Sequence, residues 1–212
     1  MAQKKVNAVI HSQEKLAEGI YSMWLDAPEM AKAAVPGQFI AVYTNDQSKL
    51  LPRPISICEA DKENGRLRIV YRIAGAGTKE FSAYKEGDTL DILGPLGNGF
   101  PLKKKKAFLI GGGIGIPPML ELAKNLDCEK TAVIGYRDKE TFLADELRKY
   151  ADVVIATEDG SVGTKGNVID AIRAEKLTAD IIYACGPTPM LKALKTYAME
   201  NGIECYISLC LL

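Results

Sequence analysis

Residues 107–118 read AFLIGGGIGIPP: an apolar run, a glycine-rich turn and then two prolines. The run predicts a buried strand, and Met119, Leu122 and Leu126 follow at helical spacing. Proline is well tolerated in the first turn of a helix, where its missing N–H costs nothing. Glycines in such a turn let a ligand approach the backbone, and the amides of the helix start face an anion. Pro118 takes the last position of a G-x-G-x-x-G pattern, so a tight structural turn is the alternative interpretation.

The alternation of strand and helix continues to residue 209. Continuous apolar strands separated by helices predict a parallel sheet covered on both faces. Further strands are expected at 131–136, 152–157, 180–184 and 203–209, and helices at 141–150, 168–174 and 188–200. Residues 183–190, YACGPTPM, predict a second strand–turn–helix unit. Cys185 ends its strand where ligands bind in such sheets, although cysteine is also a common small core residue.

The first hundred residues show short apolar strands separated by turn signals such as Asn64-Gly65. About six such strands suggest a closed antiparallel barrel, with a short helix at 78–84 over one end. We therefore expect two domains, a barrel over residues 1–101 and an α/β domain over residues 102–212. The four consecutive lysines at 103–106 suit a solvated linker better than a surface that steers an acidic partner.

Three segments of the barrel half are candidates for binding chemistry. Residues 53–56, RPIS, combine a fixed cation with a hydroxyl near a rigid proline. Arg53 can pair with a phosphate through two parallel hydrogen bonds, and Ser56 can donate to a heteroaromatic ring. An exposed edge strand with a surface arginine is the alternative interpretation. Residues 75–78, GAGT, offer a second anion-binding turn, whereas residues 94–100, GPLGNGF, fit a plain interdomain turn equally well.

Composition excludes several classes of function. Lys plus Arg equals Asp plus Glu at 27 each, whereas nucleic-acid binders usually carry a basic excess. No apolar run approaches the roughly 18 residues that span a bilayer, and the N-terminus lacks a signal-peptide apolar region, so we expect a cytoplasmic protein without membrane partners.

The five cysteines are scattered and odd in number, which favours thiols over disulfides. His11 is the single histidine, so neither a Ser-His-Asp triad nor a zinc site is expected.

Together and in this order, the motifs resemble the ferredoxin–NADP reductase superfamily over essentially the whole chain. The resemblance implies an N-terminal Greek-key FAD-binding barrel and a Rossmann-like NAD-binding domain. In the flavin motif that RPIS resembles, Arg53 would meet the FAD pyrophosphate, and Ser56 would lie near the reactive edge of the flavin. Ser56 and Cys185 are the candidate catalytic residues. The resemblance assigns to FAD Arg53, Pro54, Ile55, Ser56, Gly77 and Thr78, and to NAD Gly112, Gly113, Gly115, Cys185, Gly186 and Pro187.

Four segments resemble more closely the electron-transfer subunit of class 1B dihydroorotate dehydrogenase. They are LPRPISI at 51–57, VYRIAGAGTKEFS at 70–82, GPLGNGF at 94–100 and YACGPTPMLKAL at 183–194. In that family the segment matching Val70, Tyr71 and Arg72 also lines FAD. The resemblance implies electron flow from NADH through FAD and a [2Fe-2S] cluster to an FMN-containing catalytic subunit, which oxidises dihydroorotate to orotate in pyrimidine synthesis. It also implies a heterotetramer of two catalytic and two electron-transfer subunits.

One departure from this family concerns the iron–sulfur cluster. In the family the chain continues past the strand matching 205–209 into a cysteine-rich segment, whereas the printed sequence stops at Leu212. A [2Fe-2S] cluster normally needs four thiolates held close together. The cysteines are Cys58, Cys128, Cys185, Cys205 and Cys210, and no four of them read as one site. We therefore expect no metal ligands and no cluster in the chain as printed.

Other functions stay open at this point. One is a stand-alone NAD(P)H:flavin or quinone reductase, and another is the electron-transfer subunit of a different oxidoreductase complex. A non-catalytic nucleotide-binding module would be colourless, so a visible spectrum separates it from a flavoprotein. Arg137 could contact the 2′-phosphate of NADPH, whereas Asp138 could accept a hydrogen bond from a ribose hydroxyl of NADH. These residues therefore do not decide which of the two nucleotides is preferred. The family resemblance favours NADH.

Overall fold

The computed structural model describes residues 4–46 and 51–209. The chain divides between Gly99 and Phe100 into two compact units, called here the barrel unit and the α/β unit. No helix among the described residues combines the length and the apolar character that crossing a bilayer requires.

The barrel unit contains a closed antiparallel barrel of six strands, as the turn pattern predicted. The strands are β1 (Lys4–Ala17), β2 (Ile20–Asp26), β3 (Phe39–Val42), β4 (Arg53–Asp61), β5 (Arg66–Arg72) and β6 (Thr89–Leu96). They follow the order β1-β2-β5-β4-β3-β6, and β6 closes the barrel on β1. Successive side chains of a strand point to opposite faces. The inward set forms one apolar core that includes Met23, Ile57, Ile69 and Tyr71.

Two short helices accompany the barrel, α1 (Pro28–Ala33) and α2 (Ala76–Phe81). α2 corresponds to the helix predicted at 78–84, whereas α1 has no counterpart in the sequence-based prediction. Pro28 opens α1, a position that suits proline. Gly65 makes room for it: a β-carbon on Gly65 would stand 2.8 Å from Cβ of Pro28, and φ of Gly65 is +69°. The Asn64-Gly65 turn therefore both reverses the chain and receives α1.

The α/β unit is a six-stranded parallel sheet with helices between its strands, which confirms the predicted fold class. Its strands are β7 (Ala107–Gly112), β8 (Lys130–Tyr136), β9 (Asp152–Thr157), β10 (Thr164–Lys165), β11 (Ile181–Gly186) and β12 (Glu204–Leu209). Its helices are α3 (Pro117–Asn125), α4 (Ala144–Leu147), α5 (Val168–Ala174) and α6 (Thr188–Asn201). The strand order is β10-β9-β8-β7-β11-β12, so the winding of the sheet reverses between β7 and β11.

α4 is much shorter than the helix predicted over 141–150. Leu143 has φ of +64°, in the left-handed region, and this conformation separates residues 141–142 from the helix. The hydroxyl of Tyr136 donates a hydrogen bond to the carbonyl of Phe142 (2.7 Å), which fixes the turn. A tertiary contact therefore overrides the local helical pattern.

The lysine run at 103–106 is paired with carboxylates rather than free. The pairs are Lys103–Glu204, Lys104–Asp127, Lys105–Glu204 and Lys106–Glu129. Hydrogen bonds from Lys103, Tyr206 and Lys105 lower the pKa of Glu204 to about 2, so this carboxylate is ionised at neutral pH. The run therefore fixes the segment ahead of β7, and most of its charge is offset locally.

Candidate functional site

The predicted flavin motif and the second anion-binding turn meet in the barrel unit. Arg53 begins β4, and Gly77 lies in the first turn of α2. A β-carbon on Gly77 would overlap the guanidinium group of Arg53. The absence of a side chain on Gly77 leaves room for the guanidinium to lie against the helix backbone, so a cation and the amides of a helix start lie close together. A fixed guanidinium and backbone N–H groups are the donors that proteins use for phosphates.

Two further contacts organise this space. A guanidinium nitrogen of Arg53 donates to the backbone carbonyl of Leu51. Oγ1 of Thr78 accepts hydrogen bonds from the backbone N–H groups of Ala74 (2.9 Å) and Gly75 (3.2 Å). The Thr78 hydroxyl is thus engaged in the turn that leads into α2. In this arrangement the backbone of the helix start is the part of the turn that offers donors to a phosphate.

Pro54, Ile55 and Ser56 follow the alternation of β4. Ile55 is buried in the barrel core, whereas Pro54 is exposed and Ser56 is half-buried on the outer face. Ser56 pairs with Phe39 of β3, and the Phe39 ring stands 3.3 Å from the β-carbon position of Gly97. The GPLGNGF segment therefore adjoins the predicted flavin hydroxyl through Phe39. Sequence reasoning missed Phe39, because only strand pairing brings it to Ser56.

The predicted segment Val70, Tyr71 and Arg72 ends β5, and its side chains divide between two faces. Tyr71 points into the barrel core, stacks with Tyr21 (ring centroids 5.9 Å apart), and is only 2% exposed. Its hydroxyl donates to Oε1 of Gln13 (2.8 Å), and burial raises its pKa above the ordinary value. Val70 is also buried, and Arg72 is half-buried at the strand end. The Tyr71 ring is therefore part of the barrel core, so its contribution to a ligand site would be through its backbone or through Gln13.

In the α/β unit, the two predicted glycine turns lie together at the carboxyl ends of β7 and β11. These adjacent strands flank the point where the winding reverses, which is where ligands bind in open α/β sheets. A β-carbon on Gly115 would overlap the backbone carbonyl of Cys185. A β-carbon on Gly112 would stand 2.6 Å from Sδ of Met190 and 3.1 Å from Cδ of Pro187. The glycines are therefore required for the close packing of the two turns.

The remaining predicted residues belong to the same pair of turns. Gly113 begins the single 3₁₀ turn that leads from β7 into α3, and has φ of +53°. Gly186 ends β11, and Pro187 immediately precedes α6. Cys185 pairs with Gly111 of β7, and its side chain is fully buried. Met190, which lies against Gly112, was not singled out from the sequence because methionine is a common core residue.

A loop at the carboxyl end of β9 also reaches this edge of the sheet and was not predicted as functional. The backbone N–H of Glu158 donates to Tyr136 (3.1 Å), and that of Asp159 donates to Arg137 (3.2 Å). Oγ1 of Thr157 donates to the carbonyl of Val162 (2.8 Å) and closes the loop. Its sequence signal is the Asp-Gly-Ser turn at 159–161, which is separated by one residue from the buried end of β9. Through these bonds it adjoins Arg137 and Asp138, which follow β8 and are exposed.

The described residues do not fit an iron–sulfur cluster. Cys58 is buried in the barrel unit, whereas Cys128, Cys185 and Cys205 lie in the α/β unit. No group of three or more His, Cys, Asp or Glu residues in the described ranges could hold a metal ion. Cys210 lies outside the described residues.

Comparisons with known proteins point to one family. Residues 7–100 match the family model of the oxidoreductase FAD-binding domain. A dihydroorotate dehydrogenase B (NAD(+)) electron transfer subunit from Geobacillus sp. (strain WCH70) is 41% identical, over 99% of this chain and 83% of its own length. The subunit of the same name from Streptococcus mutans is 46% identical, over 89% of this chain and 76% of its own length. The chain belongs to the family of dihydroorotate dehydrogenase B electron transfer subunits.

A solved structure places this family in the ferredoxin reductase-like fold. The structure, an NADH-dependent reduced ferredoxin–NADP oxidoreductase, is 32% identical to this family member and has a TM-score of 0.86. The match covers 95% of this chain and 75% of the other. This match confirms the fold that the sequence motifs implied for this chain, for both the barrel and the parallel sheet.

Proposed function

We propose that this chain is an FAD-dependent NADH oxidoreductase that works as the electron-transfer subunit of NAD-dependent dihydroorotate dehydrogenase. It would pass electrons between NAD and an FMN-containing catalytic subunit in pyrimidine synthesis. The names of relatives at about 40% identity support this proposal. A heterotetramer with the catalytic subunit and a cytoplasmic location belong to the same proposal and rest on the family resemblance and the sequence.

The observation that carries the proposal is the contact between Arg53 and Gly77. It places a cation against the backbone of a helix start, inside a domain that matches an FAD-binding family. The pyrophosphate of FAD carries the charge and the oxygen acceptors that these donors fit. The residues present therefore suit FAD, with Arg53 and the Gly77-Thr78 turn as its phosphate site and Ser56 as a donor beside the ring.

The α/β unit supplies the complementary nucleotide site. The glycines at 112, 113 and 115 allow a dinucleotide phosphate to approach the backbone where the winding reverses, and Gly186 and Pro187 line the facing turn. When bound, FAD supplies the exchange between two-electron hydride chemistry and single-electron transfer. The chain's own residues bind and orient the reactants. No side-chain acid or base is required for hydride transfer itself, so Ser56 and Cys185 are assigned to tuning and positioning.

The deciding experiment is reconstitution with a dihydroorotate dehydrogenase catalytic subunit. Purified chain and catalytic subunit are mixed, and formation of NADH from NAD and dihydroorotate is followed. We expect copurification of the two subunits and NADH formation that requires both. The proposal fails if the catalytic subunit reduces artificial acceptors with dihydroorotate but never reduces NAD in the presence of this chain.

One alternative function has a specific observation in its favour. The solved NADH-dependent reduced ferredoxin–NADP oxidoreductase is 32% identical over most of this chain, so related chains also serve other electron-transfer enzymes. Under this alternative, the holoprotein would reduce an artificial acceptor with NADH but would copurify with a partner that does not oxidise dihydroorotate. Identifying the copurified partner separates the two functions.

A further inference from the structure

Glu80 of α2 gathers three donors from two parts of the barrel unit. Its Oε1 atom accepts hydrogen bonds from the backbone N–H of Asn45 (2.8 Å) and of Asp46 (3.4 Å) and from the hydroxyl of Tyr84 (2.6 Å). Asn45 and Asp46 belong to the segment after β3, and Nδ2 of Asn45 also donates to the carbonyl of Thr89 (3.2 Å). One carboxylate therefore ties α2 to a chain segment that lies 35 residues earlier.

The C-terminal end of α2 also bonds to Gln13 of β1. Nε2 of Gln13 donates to the carbonyls of Phe81 (3.1 Å) and Tyr84 (2.8 Å), and its Oε1 accepts from the Tyr71 hydroxyl. Phe81 itself is fully buried in the barrel core. α2 therefore sits between an anchor to the barrel and the bond network of Glu80. Both sets of bonds restrain α2, whose first turn carries Gly77.

The charge of Glu80 would be unfavourable beside a phosphate if nothing offset it. Glu80 lies three residues after Gly77, which is neighbouring spacing on a helix surface. A carboxylate there would repel a pyrophosphate, but the two backbone N–H groups and the Tyr84 hydroxyl all point to its Oε1 atom. Burial, followed by the hydrogen bond to Glu80, raises the pKa of Tyr84 to about 12, so the phenol remains a donor at neutral pH.

We propose that Glu80 is a positioning residue for flavin binding, which holds α2 so that Gly77 stays against the Arg53 guanidinium. The inference rests on the proposed FAD site. In this role Glu80 contacts no part of the ligand. It acts through the geometry of the Arg53–Gly77 contact, and its removal should matter only while that contact exists.

A double-mutant cycle tests this coupling. FAD affinity is measured by quenching of FAD fluorescence on titration of flavin-free full-length chain, for wild type, Glu80→Ala, Arg53→Ala and the double variant. Glu80→Ala should weaken FAD binding about tenfold in the wild-type background. In the Arg53→Ala background it should weaken binding by less than about twofold, because the two residues are coupled, whereas independent sites would show the same tenfold loss in both backgrounds. Glu80→Gln, which keeps the acceptor oxygen but not the charge, should restore most of the affinity.

The controls separate positioning from general loss of structure. Glu86→Ala removes an exposed carboxylate of the same unit whose side chain makes no hydrogen bond or ion pair with the described residues, and should leave FAD affinity unchanged. Equal loss from Glu80→Ala in both backgrounds, or no loss in either, would overturn the inference. If Glu80→Ala does not fold, Glu80→Leu, which keeps much of the side-chain volume but has no acceptor oxygen, takes its place in the cycle, with the same criterion. A wild-type chain that binds no FAD would instead overturn the proposed function.

Discussion

At the scale of single residues, the Arg53 guanidinium occupies the position that a β-carbon on Gly77 would take. Gly77 and Arg53 therefore act together, and a substitution of either residue affects the same contact. Cys185 is different, because its side chain is fully buried and its carbonyl, rather than its thiol, is the group that faces Gly115. These two residues make the sharpest tests of the two proposed binding sites.

Arg53→Ala should weaken FAD binding by about ten- to a hundredfold, because a hydrogen bond to a charged group contributes roughly 1.5–3 kcal/mol. FAD content after dialysis, with Kd from fluorescence titration, measures the effect. Arg66→Ala is a matched control, since Arg66 is a half-buried arginine that pairs with Asp26. Unchanged FAD affinity in Arg53→Ala would show that Arg53 does not hold the pyrophosphate.

Cys185→Ala should slow reduction of the bound flavin by NADH several-fold, on the order of 1 kcal/mol in the barrier, while FAD stays bound. The reason is that Cys185 ends β11 beside Gly115, within the proposed nucleotide site, and we expect the nicotinamide ring to lie at this strand end. Stopped-flow bleaching of the flavin absorbance measures the rate. Cys205→Ala on β12 serves as the control thiol. A rate equal to wild type would make Cys185 a core-packing residue.

The residues of both proposed sites could be predicted from the sequence because they stand in contiguous motifs. The residues that pack against them could not be predicted in this way. Phe39 beside Ser56 and Met190 beside Gly112 depend on strand pairing and on packing between distant segments. The contact of Glu80 with Asn45 spans 35 residues and has no local signature. Local pattern predicts which residues carry the chemistry, whereas the side chains that hold them are fixed by tertiary structure.

At the scale of elements, strands and their turns were predicted better than short helices. β7, β9 and α5 follow apolar periodicity closely, because burial on a sheet face imposes a regular pattern. α1 and α4 are six and four residues long, too short for a periodic signal. Leu143 adopts a left-handed conformation that no local preference would suggest. Packing against neighbouring elements therefore decided the ends of these helices.

The glycine turns after β7 and β11 behave as one element, and Gly115→Ala should disturb both. The new β-carbon would overlap the carbonyl of Cys185, so one turn must move, at a cost of about 1–3 kcal/mol in the free energy of unfolding. We expect NADH affinity to fall about tenfold or more, measured by titration of the oxidised holoprotein with a non-reducing nicotinamide analogue. FAD content is the internal check, since the barrel unit is unchanged. Wild-type nucleotide affinity would show that the turn does not contact the nucleotide.

At the scale of the whole molecule, the iron content of the chain as printed remains a prediction. A polypeptide of only the printed residues, purified anaerobically, should contain one FAD per chain and close to zero iron and acid-labile sulfide, because no four of these cysteines read as one site. Colorimetric iron and sulfide assays beside the flavin spectrum give the answer. Two irons per chain, in the absence of a partner that donates ligands, would contradict it.

The barrel unit and the α/β unit differ in whether their sheets have free strand edges, and free edges favour aggregation. A barrel that closes on itself presents no strand edge, whereas the parallel sheet ends at β10 on one side and at β12 on the other. Such edges can template the addition of a strand from a neighbouring chain. β10 is only two residues long and contains Lys165, and β12 begins with Glu204, held ionised by two lysines. The carboxylate that pairs with the segment ahead of β7 thus also places a charged group on an edge strand, a feature that disfavours edge-to-edge pairing.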